Sequence, residues 1–176
     1  MKRPIIVLVL LAIAFVAWMS VFGAAPSYEE FRAIENKYKQ PEELAPSTLE
    51  NINGYKQEMF FLKKKYAGSE ETGLLADIRI DLAQIEENLI LAGNELAKMD
   101  RRNPDCSEGS RIAKSRTLLE GADRRVAEVE SNSLKLESNY KNLADASGIS
   151  STSFKTSVSG ISKSIDSIGN SINSYC

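Results

Sequence analysis

ETGLLADIRIDLAQIEENLILAGNELAKM, residues 71–99, is the stretch whose reading decides the fold. Its apolar side chains fall at Leu75, Ile78, Leu82, Ile85, Leu89, Ala92, Leu96 and Met99. That three-four alternation, held for about four heptads, puts every one of them on a single stripe of a helix, whereas a strand with its period of two would scatter them over both faces. The spacing predicts a helix over 71–102. Pro104 ends it, because proline drives Asn103 out of the helical region.

The same alternation continues on both sides. Beyond a polar loop holding Cys106, apolar residues recur at Ile112, Leu119, Ala122, Val126, Val129, Leu136, Tyr140 and Leu143, which predicts a helix over 108–146. Ser115 and Ser133 occupy this register as weak points that could bond back to the helix's own backbone. Past Gly148 the composition turns to Ser, Thr, Asn and Gly, the composition of a flexible tail. Yet Phe154, Val158, Ile161, Ile165, Ile168, Ile172 and Tyr175 keep the alternation, so 150–175 reads as a packed helix despite poor intrinsic propensity. Its flanks at Ser157, Ser162, Ser164, Gly169 and Ser171 are small. Short connections favour placing this helix sandwiched inside its own bundle, with a seam for another subunit as the alternative. Upstream, Pro46-Ser47-Thr48-Leu49-Glu50 carries a capping-box pattern and opens a helix over 47–67 with Leu49, Ile52, Met59, Leu62 and Tyr66 on one face. Pro26-Ser27-Tyr28-Glu29-Glu30 repeats the pattern and begins a short helix that Gln40-Pro41 stops, leaving 26–45 as helix and linker. The expected class is all-α, an antiparallel helical bundle or coiled coil over 46–176.

Between Arg3 and Glu29 the chain carries no charge, and residues 4–25 are almost wholly apolar. A signal peptide's apolar core is about 7–15 residues and a spanning helix needs about 20, so the segment reads as a transmembrane signal-anchor. Trp18 suits the outer interface, and Lys2 and Arg3 hold the tip 1–3 in the cytoplasm, leaving the bulk extracytoplasmic. Gly23-Ala24-Ala25 supports the alternative of a cleaved signal, with a secreted or periplasmic product. Either way membrane lipid is the partner of the N-terminal segment while it remains attached.

The exported part is nearly neutral. Of the chain's 22 basic residues Lys2 and Arg3 precede the apolar run, which leaves a formal charge of about −4 against 24 acidic residues and excludes phosphate-backbone binding to nucleic acid. Two cysteines, Cys106 and Cys176, in a compartment that permits disulfides predict one bridge, with intermolecular pairing or free thiols as the alternatives. With helices alternating in direction, the last one returns toward the Cys106 loop and brings Cys176 to it.

No residue stands out as catalytic, cofactor-binding or metal-ligating. The chain has no histidine, which removes the commonest general base and metal ligand and argues against an enzyme. Ser138-Asn139-Tyr140-Lys141 has the Ser-x-x-Lys spacing of acyl-enzymes but lacks the companion motifs. The loop from Asp100 to Glu108 gathers three carboxylates without the spacing of a calcium loop, and helix capping by Asp105 or Ser107 accounts for them. Lys63-Lys64-Lys65 beside Phe60, Phe61 and Tyr66 reads as a solvated helix face, with contact to anionic headgroups as the alternative should that helix lie near the membrane.

Ala25-Pro26-Ser27-Tyr28-Glu29-Glu30-Phe31 after an apolar run resembles the point where the N-terminal helix of type IV pilins leaves the membrane, a family that often carries a C-terminal disulfide. The resemblance covers under a quarter of the chain. No glycine precedes the apolar run, Val9 stands where the family's early glutamate falls, and no strand pattern follows. It implies a surface-filament subunit as a third reading only. The first expectation is a structural, adaptor or protein-interaction component of the cell envelope, working with a protein partner or as a homo-oligomer. The second is an extracytoplasmic ligand-sensing bundle with a separate output subunit.

Overall fold

The structure, a computed structural model, describes residues 28–100 and 102–175. These residues form six helices and no strand: α1 (Tyr28–Tyr38), α2 (Leu49–Lys65), α3 (Glu70–Ala97), α4 (Arg111–Asn139), α5 (Lys141–Ala146) and α6 (Thr152–Asn173). No described helix is long and apolar enough to cross a membrane. The apolar run 4–25, the tip 1–3, Ser27 and Cys176 lie outside the described residues.

Hydroxyl side chains open four of the helices. Thr48, Ser69, Ser110 and Ser151 each accept a hydrogen bond from the backbone N–H three residues on, satisfying a donor that the first turn leaves free. The cap of α2 is thus Thr48 rather than Ser47, and that of α4 is Ser110 rather than Asp105 or Ser107. Asp105 instead accepts from the Ser107 backbone N–H at 2.9 Å, and Asp100 from that of Arg102 at 2.9 Å. The Asp100 turn follows the end of α3 at Ala97, short of the expected 102, and offers the backbone there an alternative to helix.

Ion pairs fix the directions. Lys65–Glu30 (3.0 Å) and Lys37–Glu58 (2.5 Å) set α2 antiparallel to α1. Lys63–Asp77 (2.6 Å) and Lys56–Glu87 (2.5 Å) do the same for α2 and α3, and Arg125–Asp81 (2.5 Å) with Arg111–Glu95 (3.3 Å) for α3 and α4. The Lys155–Glu137 pair at 2.9 Å and a hydrogen bond from Arg116 to the Asn173 side-chain oxygen at 3.0 Å lay α6 antiparallel on α4. The start of α1, the end of α2, the start of α3 and the end of α4 therefore share one end, called proximal because the described residues begin there. The loop 98–110 and the end of α6 share the other, distal end.

The helix enclosed by its neighbours is α3, not the last one. Thr72, Leu75, Ala76, Ile78, Arg79, Asp81, Leu82, Ala83 and Ile85 are all buried, so its first half meets protein on nearly every side. By contrast α6 rests mainly on α4. Phe154, Val158, Ile165 and Ile172 are buried, Ile161 and Ile168 are half-buried, and Ser157, Ser164 and Ser171 face solvent. The expected sandwich position is corrected on this point: one row of its seam is covered and the other lies at the edge. In the long pair, Val126, Val129 and Leu136 of α4 are buried in the core, and Leu89 of α3 is half-buried against the same core.

The expected helix 108–146 breaks at Tyr140 (φ −137°, ψ 52°). Its phenol donates to Glu70 at 2.9 Å, tying the break to the start of α3. The redirected chain buries Ala144 and Ile149, and Gly148, at φ +74°, supplies the left-handed residue that turns α5 toward α6.

Candidate functional site

A buried charged cluster joins three segments at the proximal half. Arg79 sits in α3 between Ile78 and Ile80, facing α1 and the turn after α5. Its Nε lies 2.7 Å from Glu35 Oε1 of α1, and its Nη2 donates to the Ser147 carbonyl at 3.0 Å. Lys39, just past α1, stands 3.9 Å from Glu35 Oε2 and donates to the Glu43 carbonyl at 2.9 Å. Tyr55 of α2 is fully buried, and its hydroxyl has no hydrogen-bond partner among the described residues. Burial pushes the Tyr55 and Tyr28 phenols above their ordinary range, with the Glu35 carboxylate adding to the effect and Arg79 opposing it. Burial lowers the Lys39 ammonium, and Glu35 opposes that shift.

Chemically this arrangement is a lock. Glu35 offsets one of the two positive charges, both cations reach backbone carbonyls, Arg79 Nε and Glu35 Oε1 approach as an ion pair without a well-aligned hydrogen bond, and no nucleophile in the cluster stands beside a base. Sequence reading missed it because a single arginine inside an apolar stretch carries no motif. The available signal was that Arg79 stands in the turn between Ile78 and Leu82, on a helix long enough to be enclosed.

A second polar seam lies between α3 and α4. Asp81 pairs with Arg125, and burial raises its carboxyl above the usual carboxylate range despite that partner. Ser115 donates across the interface to the Ala92 carbonyl at 3.2 Å rather than back along its own helix. Ser133 Oγ has no partner among the described residues.

Apolar surface remains exposed in particular places. Phe60 and Phe61 on α2 are 58% and 66% exposed, and Leu134 on α4 is 65% exposed. Phe61 borders a cleft with Ile34, Leu62 and Lys64. A second open cleft of about 620 Å³ lies between α3 and α4 toward the distal end, with Leu91, Ala113 and Leu118 as its floor and Glu95, Lys98 and Lys114 at its rim.

The other sequence candidates fall as follows. Lys141 is engaged by Asp145 at 2.6 Å, while the Ser138 hydroxyl donates to the Lys135 carbonyl, so the Ser-x-x-Lys pair forms no dyad. Within the basic run, Lys63 pairs with Asp77 and Lys65 with Glu30, leaving Lys64 exposed and without an ion pair among the described residues. No group of three metal-type ligands comes together among the described residues. Cys106 is not a free thiol, and its Sγ lies 3.7 Å from the Tyr175 carbonyl oxygen at the distal end.

Fold and surface together define an all-α antiparallel bundle with a charge-locked interior. No family model matches the chain, and neither does a curated protein or a solved structure.

Proposed function

We propose that this protein is a membrane-anchored, extracytoplasmic helical bundle whose work is interaction, as a structural or adaptor component of the cell envelope. The observation that carries the reading is a contrast. The interior groups Glu35, Arg79 and Lys39 are engaged with one another and with backbone carbonyls, while apolar side chains stay exposed at Phe60 and Phe61 and on the floor of the Leu91–Leu118 cleft. A ligand-sensing bundle would instead turn its converging charges toward an open pocket.

The anchor is residues 4–25, and its orientation follows from Lys2 and Arg3. Export would let Cys106 pair with Cys176, the chain's other cysteine, closing the distal end where Tyr175 already lies beside the Cys106 loop. Crosslinking the full chain in its native membrane tests the function. A discrete adduct with a second protein or a second copy is expected. Monomer alone, under conditions that capture other envelope complexes, would refute the reading.

A further inference from the structure

Phe60 and Phe61 are large, adjacent and more than half exposed, on a surface helix whose inner face is already packed by Ile52, Tyr55, Met59 and Leu62. Aromatic side chains left in water at that degree are costly, and what lies close to them in the chain points to their cover. The last turn of α2 is pinned to the first turn of α1: Glu30 accepts from Lys65 at 3.0 Å and from the Tyr66 hydroxyl at 2.5 Å, and Ile34 shares the cleft with Phe61 and Lys64. Tyr28, where α1 begins, is only three residues beyond Ala25, the end of the apolar run, which places it within roughly 10 Å of that end even for a fully extended link. Phe61 is one helical turn from Lys65.

We propose that Phe60, Phe61 and Lys64 form a second membrane contact, a foot that settles into the headgroup layer of the bilayer holding residues 4–25. The inference rests on the anchor reading above. Aromatic rings favour the interface between headgroups and hydrocarbon, and Lys64, the cation of its run with no ion pair among the described residues, faces lipid phosphate. Lys63 and Lys65 are paired with Asp77 and Glu30. Docked this way, the bundle leans toward its α1–α2 side and leaves the Leu91–Leu118 cleft, near the distal end, away from lipid.

The test uses the full chain in vesicles of phosphatidylcholine and phosphatidylglycerol containing brominated lipid. Trp18 is the chain's one tryptophan, so Trp18→Phe provides a silent background for Phe61→Trp and, as a distal control, Tyr175→Trp. Bromolipid is expected to quench emission at position 61 by roughly twofold or more and to leave position 175 unchanged, since bromine quenches at short range and is confined to the bilayer, from which the distal end is held away. Adding Lys64→Glu should reduce the quenching at 61. Equal, absent quenching at both positions in protein that floats with the vesicles would overturn the foot and leave the anchor standing. Copy-to-copy crosslinks through position 61 without quenching would assign the face to a second copy instead. Failure of the chain to float would refute the anchor itself, and the foot would fall with it.

Discussion

At Arg79 the energetic question is one of compensation. A buried ion pair gains little over well-packed apolar side chains, because desolvation consumes most of the Coulomb energy, but removing one partner strands the other. Arg79→Met is therefore expected to cost about 3 kcal/mol or more by urea denaturation, since it leaves Glu35 buried with only Lys39 at 3.9 Å. Adding Glu35→Leu should recover part of the loss, since it removes the stranded carboxylate but leaves Lys39 with only the Glu43 carbonyl; a double variant as unstable as the single would show that packing, not charge, fails. Tyr55 behaves differently, since its buried hydroxyl has no hydrogen-bond partner among the described residues and contributes only the cost of its own desolvation. Tyr55→Phe is expected to leave the thermal midpoint unchanged or raised at neutral pH, and a loss exceeding about 1 kcal/mol would show the hydroxyl to be engaged. The pH dependence follows from the same burial. The Tyr55 and Tyr28 phenols are raised above their unfolded value near 10, so their contribution is complete below that pH and is lost as pH climbs through the folded values. Lys39, lowered by burial, runs the other way: its contribution is present above the unfolded value and is lost as pH falls through the folded one. Alkaline titration should thus destabilise the protein beyond about pH 10, and less steeply in Tyr55→Phe.

At the scale of the element, glycines separate propensity from packing. A methyl group added at Gly160 or Gly169 of α6 meets nothing within 4 Å, so Ala at either site should stabilise that helix by about 0.5–1 kcal/mol, read as slower amide exchange across 160–173. At Gly54 of α2 a methyl would come within 2.7 Å of the Tyr38 ring, which packs edge-on to Tyr55 and bonds Glu58 through its hydroxyl. Gly54→Ala is expected to destabilise, and a gain there would mean that Tyr38 moves aside freely. The same division explains what was legible beforehand. The helical stripes of α3, α4 and α6 could be read because burial on one face imposes a period, and even the serine-rich α6 kept that period against its composition. The break at Tyr140 could not, since Val129, Leu136, Tyr140 and Leu143 continue the stripe and the deciding contacts, Glu70 to the phenol and Arg79 to Ser147, span about 70 residues of chain. Nor could the placement of α6, because a seam's spacing records that it is covered but not by how many neighbours. The charged cluster was hidden for a related reason: Glu35, Lys39 and Arg79 look like solvated charges until the fold encloses them.

Across the whole molecule the two ends are built differently. The proximal end is closed from several directions, by α1, by the turn after α5 and by the Arg79 cluster. The distal end has the loop 98–110, the start of α4 and the end of α6, whose buried residues thin to Ile172 while Tyr175 is 39% exposed. A helix rich in serine and resting mainly on α4 should fray there first. A Cys106–Cys176 bridge would act at this weak point. It would close a loop of about 70 residues and, in the chain-entropy account, stabilise the fold by about 4 kcal/mol, more than any single surface ion pair along α4 and α6 supplies. The expectation is that protein purified without reductant has no titratable thiol and migrates as a monomer under non-reducing conditions. Reduction should then accelerate amide exchange over 98–110 and 165–175 while leaving the exchange of Ile78 to Leu82 nearly unchanged, because the charged lock is remote from the staple. Two free thiols, or a covalent dimer, would exclude the intramolecular bridge. Equal acceleration at both ends would show instead that the bundle opens as one cooperative unit, with the bridge setting its global stability rather than guarding one end.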